Sequence, residues 1–213
     1  MLIVIDGPAG VGKSTVSKKI AEALKINYLD TGAMYRIITY YFLKNKIEIN
    51  DENIKNNINK IKINYKDNQL FLDDMILTNE LRTNEINEKI SVIAKNPEIR
   101  EFLVEKQREI AKTNSIILDG RDLGTYVFPE CKNKFYLEAS VDVRAQRRYK
   151  ENQEQGIITD YEMLKKQIEK RDYEDMNRTL APLKKAQDAI LINTDNLSID
   201  DVVNLIKKEI VKD

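Results

Sequence analysis

The chain has 213 residues, enough to bury one full core with room for an insert. Lys plus Arg number 35 and Asp plus Glu number 35, so no net field draws the chain to nucleic acid or to a membrane surface. The sequence holds no histidine, which removes imidazole bases, histidine metal sites and Ser-His triads together, and its one cysteine, Cys131, excludes an internal disulfide and any multi-cysteine metal site.

Residues 2–5, Leu-Ile-Val-Ile, read as a buried parallel strand. The run is too short for a signal peptide, and no apolar stretch elsewhere approaches membrane-spanning length, so a cytoplasmic protein without a membrane partner is expected. The strand leads into Gly7-Pro8-Ala9-Gly10-Val11-Gly12-Lys13-Ser14, with Thr15 next, which fits the phosphate-binding pattern G-x-x-x-x-G-K-[ST]. Glycines let successive backbone N–H groups curl around phosphate oxygens, and the helix expected over 13–24 adds its unpaired N–H groups and positive dipole end. Lys13 would neutralise the β- and γ-phosphates of a nucleotide, and the Ser14 hydroxyl would reach Mg²⁺. A nucleotide-binding protein is implied.

Further buried strands are expected at 26–29, 115–119, 134–137 and 189–192, separated by amphipathic helices at 141–152 and 199–211. This alternation predicts an α/β fold with a parallel sheet covered on both faces, binding ligand at the carboxyl ends of its strands. Between the second and third core strands the rhythm breaks. Residues 62–66, 69–72 and 75–78 read as three short strands joined by the turn pairs Asp67-Asn68 and Asp73-Asp74. Helices over 80–94 and 97–112 follow, the second capped by Asn96 with Pro97 at its first position. An inserted α+β subdomain is expected here.

Several clusters lie where such a sheet binds ligand. Asp30-Thr31-Gly32-Ala33-Met34-Tyr35-Arg36 follows the second strand and offers a hydroxyl, a close backbone approach and a guanidinium fork for a phosphate. A helix N-cap followed by a surface arginine is the plainer reading. Asp119-Gly120-Arg121-Asp122-Leu123-Gly124-Thr125 closes the next strand, and an acidic residue such as Asp119 in that position commonly orients Mg²⁺ or its water ligands. Arg144, Arg147 and Arg148 share a helical face, as a polyphosphate site or as a solvated surface. Arg171, Asp175 and Arg178, spaced i, i+4, i+7, share another, where Arg171 and Asp175 could be a simple ion pair. With many arginines and no histidine, the chemistry indicated is phosphoryl transfer, which needs alignment and charge neutralisation more than a general base.

Together, the segments GPAGVGKST, LDTGAMYR, LDGRDLGTYVFP, ASVDVRAQRRY and RDYEDMNRTLAPL resemble the bacterial cytidylate kinase family, and the likeness spans nearly the whole chain. The first segment is generic to P-loop proteins, whereas DGRD-x-GT-x-VFP and RD-x-x-D-x-NR-x-x-APL are far more particular. The resemblance implies a P-loop core over about 1–40, 111–148 and 179–213, a nucleoside-monophosphate-binding insert over about 41–110 and a short helical lid over about 149–178. It implies transfer of the γ-phosphoryl group of ATP to CMP or dCMP with Mg²⁺, by a monomer. Lys13, Arg121, Arg147, Arg148 and Arg178 would be catalytic, with Arg147 and Arg148 as lid-side arginines clamping the donor phosphates. Thr31, Arg36, Arg121 and Arg178 would hold the phosphate of CMP, Ser91, Arg100 and Asp122 the cytosine edge, and Arg171 and Asp175 the ribose. A carboxylate such as Asp122 accepts from the exocyclic amine of cytosine and repels the carbonyl of uracil. Ser14 and Thr31 stand where relatives often have Gly and Ser.

Other P-loop kinases of small acceptors, such as thymidylate, adenylate or shikimate kinase, would leave the DGRD-x-GT segment and the large insert unexplained. A GTP-binding switch would want an Asn-Lys-x-Asp signature, which is absent, and a nucleic-acid remodeller a second motor domain.

Overall fold

A computed structural model describes residues 1–154 and 156–211. Among them, β1 (Leu2–Asp6), β2 (Asn27–Asp30), β6 (Ile116–Gly120), β7 (Asn133–Glu138) and β8 (Ile190–Asn193) form a parallel sheet in the order β2-β6-β1-β7-β8. Side chains alternate across it. Ile3, Ile5, Ile117, Phe135 and Leu137 face one way, into a core shared with α1 (Lys13–Leu24) and α8 (Ile199–Glu209) through Val16, Ile20, Val202 and Ile206. Val4, Leu29, Ile116 and Leu118 face the other way. They meet Met34, Ile38 and Phe42 of α2 (Thr31–Lys44) and Leu103 of α5 (Pro97–Thr113). Burial on both faces explains why these strands read as unbroken apolar runs.

Between α2 and β6 lie α3 (Asp51–Asn57), the antiparallel strands β3 (Ile63–Lys66), β4 (Gln69–Leu72) and β5 (Met75–Ile76), and α4 (Asn84–Lys95). The β3–β4 turn falls on Asp67 and Asn68, both at positive φ (51° and 62°), as a two-residue hairpin requires. That turn also docks the segment onto the core. Asn68 Oδ1 accepts the Tyr28 N–H at 2.8 Å, and the Tyr65 hydroxyl donates to the Tyr28 carbonyl at 2.9 Å. Tyr28 sits on an edge strand, so these bonds satisfy backbone groups that no ladder partner reaches.

Three expectations are corrected. The strand expected over 75–78 ends at Ile76, because Leu77 turns into the core and Thr78 has left extended geometry, at φ −129° and ψ −81°. The helix expected over 80–94 is two pieces: a 3₁₀ turn at Asn79–Arg82, then α4, whose first turn is capped by the Thr83 hydroxyl accepting from the Ile86 N–H. Thr83 takes the extended conformation of a cap, which stops the first helix and starts the second. Asn96 and Pro97 open α5 as expected. Lastly, Arg178 does not share a helical face with Arg171 and Asp175. The helix α7 (Tyr161–Asn177) ends one residue before it, and Arg178 is extended at φ −66° and ψ 144°.

The helix α6 (Val141–Glu154) packs antiparallel-style against α7 through Ala145, Leu164 and Ile168, with Tyr149 and Tyr161 edge to face. No helix of the described residues is long and apolar enough to cross a membrane.

Candidate active site

The donor loop leaves β1 at Gly7, whose φ is 153° and whose absent Cβ would lie 2.3 Å from the Leu137 carbonyl oxygen. Only glycine lets the chain pass so close to β7. Gly12, at φ 94°, turns the chain into α1. The Lys13 ammonium curls back over the loop, donating to the carbonyls of Gly7 at 2.8 Å and Pro8 at 2.7 Å. Burial, with Arg121 beside it, holds its pKa well below the usual lysine value. The Ser14 hydroxyl donates to Asp119 Oδ2 at 2.9 Å, while the Tyr28 hydroxyl donates to Asp119 Oδ1 at 2.7 Å. Burial and the nearby Asp30 push the Asp119 carboxyl up to about 6, against the pull of Lys13, Tyr28 and Ser14.

A second cluster lies beyond the carboxyl end of β6. Arg121 Nε donates to Asp175 Oδ2 at 3.0 Å across to α7. Asp122 is clasped between two arginines: Arg178 Nη2 donates to its Oδ1 at 3.0 Å, and Arg100 Nη2 makes a short bond to its Oδ2. All three side chains are buried. The Arg100 guanidinium lies 5.6 Å over the ring of Tyr35, which fixes its plane. Arg178 Nε is anchored on the Ala181 carbonyl at 2.7 Å.

Arg36 reaches from α2 to the 3₁₀ turn and α4, donating to the Leu81 carbonyl at 3.0 Å and Asn87 Oδ1 at 2.7 Å. Both acceptors are neutral, so its charge is not cancelled. Arg171 is lowered to about 10 by burial and by Arg121 beside it, and it makes no ion pair among the described residues. Of the five guanidiniums here, Arg100, Arg121 and Arg178 pair with the carboxylates of Asp122 and Asp175, and Arg36 and Arg171 pair with neither. This surplus of positive charge attracts an anion. The Thr31 hydroxyl opens α2 but donates to the Asp119 carbonyl at 2.7 Å. Ser91 sits half-buried on α4, and its hydroxyl joins none of these bonds.

The arginine triplet of α6 divides into three tasks. Arg144 is buried and ion-paired with Asp172 of α7 at 2.6 Å, with further bonds to the carbonyls of Ala9 and Ala139 at 3.0 Å each. Asp172 also accepts the Ala9 N–H at 3.3 Å, so the pair braces the loop from behind. Arg147 is held on Thr194, just past β8, through that residue's hydroxyl and carbonyl. Arg148 is half-exposed beside Glu151 at 2.9 Å.

Sequence reasoning passed over Asp6, Tyr28, Tyr35 and Asp172. Asp6 carried a signal, as an acidic residue closing an apolar strand; Tyr35 and Asp172 lie inside LDTGAMYR and RDYEDMNRTLAPL but were given no role there, and Tyr28 carried none. An implied Mg²⁺ fits this site, because the Ser14 hydroxyl and Asp119 carboxylate are hard oxygen donors converging at the start of α1. Mg²⁺ is commonly held by one or two protein oxygens together with substrate phosphates.

A parallel sheet with a P-loop after its central strand, and an arginine-rich anion site beside that loop, define a P-loop phosphotransferase. The shikimate kinase of Bacteroides thetaiotaomicron shares this fold, with a TM-score of 0.50 at 15% identity over 98% of this chain and 97% of that one. The family model described as cytidylate kinase matches residues 3–212. The cytidylate kinase of Leuconostoc mesenteroides subsp. mesenteroides is 50% identical over 206 residues, 94% of this chain and 92% of its own. That of Clostridioides difficile is 46% identical over 211 residues, 99% of this chain and 98% of its own. The chain belongs to the cytidylate kinase family.

Proposed function

We propose that this chain transfers the γ-phosphoryl group of ATP to CMP or dCMP, giving CDP or dCDP, with the roles that follow. The observation that carries the assignment of the acceptor site is Asp122, a buried carboxylate clasped by Arg100 and Arg178 one residue from Arg121. Each carboxylate oxygen has two acceptor positions, so with one arginine on each it can still accept from the exocyclic amine of cytosine. Arg100 and Ser91 complete the base site. Thr31, Arg36, Arg121 and Arg178 hold the acceptor phosphate, and Arg171 and Asp175 the ribose. The surplus charge of the arginine cluster supports a dianionic ligand there.

On the donor side, residues 7–15 wrap the phosphates of ATP, and Lys13 and the lid-side arginines Arg147 and Arg148 neutralise charge on the transferring group. The acceptor is a phosphate oxygen already ionised at neutral pH, so a chain without histidine needs no general base. Ser14, with Asp119, would hold Mg²⁺, which when bound neutralises donor phosphate oxygens. The core comprises about 1–40, 111–148 and 179–213, residues 41–110 are the monophosphate-binding insert, and 149–178 the lid. The protein works in the cytoplasm as a monomer on small molecules, without nucleic acid.

The test is ADP release across CMP, dCMP, UMP, dTMP, AMP and shikimate, with CMP or dCMP expected to be preferred. Asp122→Asn should lower kcat/KM for CMP by about tenfold or more and that for UMP much less, because an amide donates as well as accepts. Equal losses on both would refute the role of Asp122.

A further inference from the structure

Asp6 closes β1, immediately before the donor loop, and is 4% exposed. Its carboxylate crosses to the segment after β6, where Oδ1 accepts the Leu123 N–H at 2.9 Å and Oδ2 the Gly124 N–H at 2.7 Å. These are the first two N–H groups of the π-helical turn Leu123–Val127, which no i→i−4 or i→i−5 carbonyl satisfies. The residue in the cap position of that turn is Asp122, at φ −142° and ψ 18°.

An aspartate in a cap position ordinarily folds its carboxylate back onto such N–H groups. Asp122 makes no such bond. Its carbonyl accepts the N–H groups of Tyr126 at 2.9 Å and Val127 at 3.2 Å, holding the turn, while both carboxylate oxygens go to Arg100 and Arg178. Without another acceptor the Leu123 and Gly124 amides would compete with those arginines for Asp122, since buried N–H groups do not stay unpaired.

We propose that Asp6 caps the Leu123–Val127 turn in place of Asp122, and thereby keeps the Asp122 carboxylate turned toward the arginines and the acceptor base. Asp6 is then a positioning residue for base choice, and the inference rests on the base-reading role of Asp122 given above. Two further observations support it. A Cβ on Gly124 would stand 3.4 Å from Asp6 Oδ2, an ordinary contact distance, so the turn lies directly against Asp6. The partners of Asp6 are neutral amides, and burial pushes its carboxyl up to about 7. A carboxylate so placed is a liability to the fold itself, and a function that uses the ionised form gives the reason for it.

Asp6→Asn keeps the shape of the side chain but replaces one acceptor with a donor, which cannot face an N–H group. It should raise KM for CMP about tenfold and lower the CMP-to-UMP preference, with KM for ATP changed by less than about twofold. Combining it with Asp122→Asn should add little to the loss from Asp122→Asn alone, because both act through one carboxylate. In the unsubstituted protein, amide hydrogen exchange should find Leu123 and Gly124 protected. Equal rises in both KM values, fully additive losses, or unprotected amides would each overturn the inference. If Asp122→Asn leaves base choice intact, the base-reading role itself fails. If Asp122→Asn impairs base choice and Asp6→Asn does not, only the capping role fails.

Discussion

Lys13 shows how a charge is kept in a buried place by neutral partners. Its ammonium hydrogen-bonds the Gly7 and Pro8 carbonyls rather than a carboxylate, with Asp119 and Asp6 near enough to act on its charge. Lys13→Ala should leave the fold intact and lower kcat by more than tenfold, since the lost contact strengthens as charge develops on the transferring group. Retention of more than about a tenth of kcat in steady-state assays would refute the loop assignment. Asp175 is a sharper case. Burial acts to raise its carboxyl, but Arg121, Arg171 and Arg178 together hold it below the usual carboxylate range. It is therefore ionised at neutral pH and able to accept from a ribose 2′-OH. Asp175→Ala should harm CMP more than dCMP, which lacks that hydroxyl. A loss equal on both substrates, or larger on dCMP, would assign Asp175 instead to holding Arg121, 3.0 Å away.

At the level of elements, α6 and α7 act as a brace. The Arg144–Asp172 pair lies between them and is bonded at both ends to Ala9 of the donor loop. Breaking a buried pair by removing one partner typically costs about 3–5 kcal/mol, because the other charge is left uncompensated. Arg144→Ala should therefore lower the unfolding free energy by about that amount and weaken ATP binding, while Arg144→Met with Asp172→Leu should recover much of the stability. Denaturant melts of the three proteins check this. A single variant as stable as the parent would show that the pair contributes nothing. The same reasoning shows why three arginines in five residues of sequence are not one site: helical spacing places them near each other, and the neighbouring elements decide what each one meets.

For the molecule as a whole, the absence of histidine simplifies the pH response. Asp6 and Asp119 are raised from 3.8 to about 7 and about 6 respectively, chiefly by burial. Between about pH 5 and 7, above the range where the lowered carboxyls such as Asp175 act in the opposite sense, the folded state therefore binds more protons than the unfolded state, and unfolding free energy falls as pH rises. Lys13 acts in the opposite sense toward the ordinary lysine value, so the measurement belongs between about pH 5 and 7. The ligand-free protein should melt at a lower temperature at pH 7 than at pH 5, and Asp6→Asn should flatten that slope. A melting temperature that rises across the window would contradict the burial of these carboxyls.

The donor loop was legible in the sequence because its parts are contiguous: glycines, lysine and hydroxyl act through one short stretch of backbone between a strand and a helix. The alternation of apolar runs and amphipathic stretches likewise exposed the parallel sheet, since burial on two faces leaves a local signature. The Asp67-Asn68 turn and the Asn96-Pro97 helix start were readable for the same reason. Partnerships across the sheet were not. Asp6 meets Leu123 across 117 positions, Tyr28 meets Asp119 across 91, and Arg144 reaches Ala9 across 135. Each depends on strand order β2-β6-β1-β7-β8, which places β1 beside β6 and β7 although long segments separate them in the chain. The sequence by itself determined which chemical groups were available and how the loop between β1 and α1 is built. Only the tertiary structure decided which arginine was left with spare charge and which was used to hold the loop, because that depends on the carboxylates folding brings within about 3 Å.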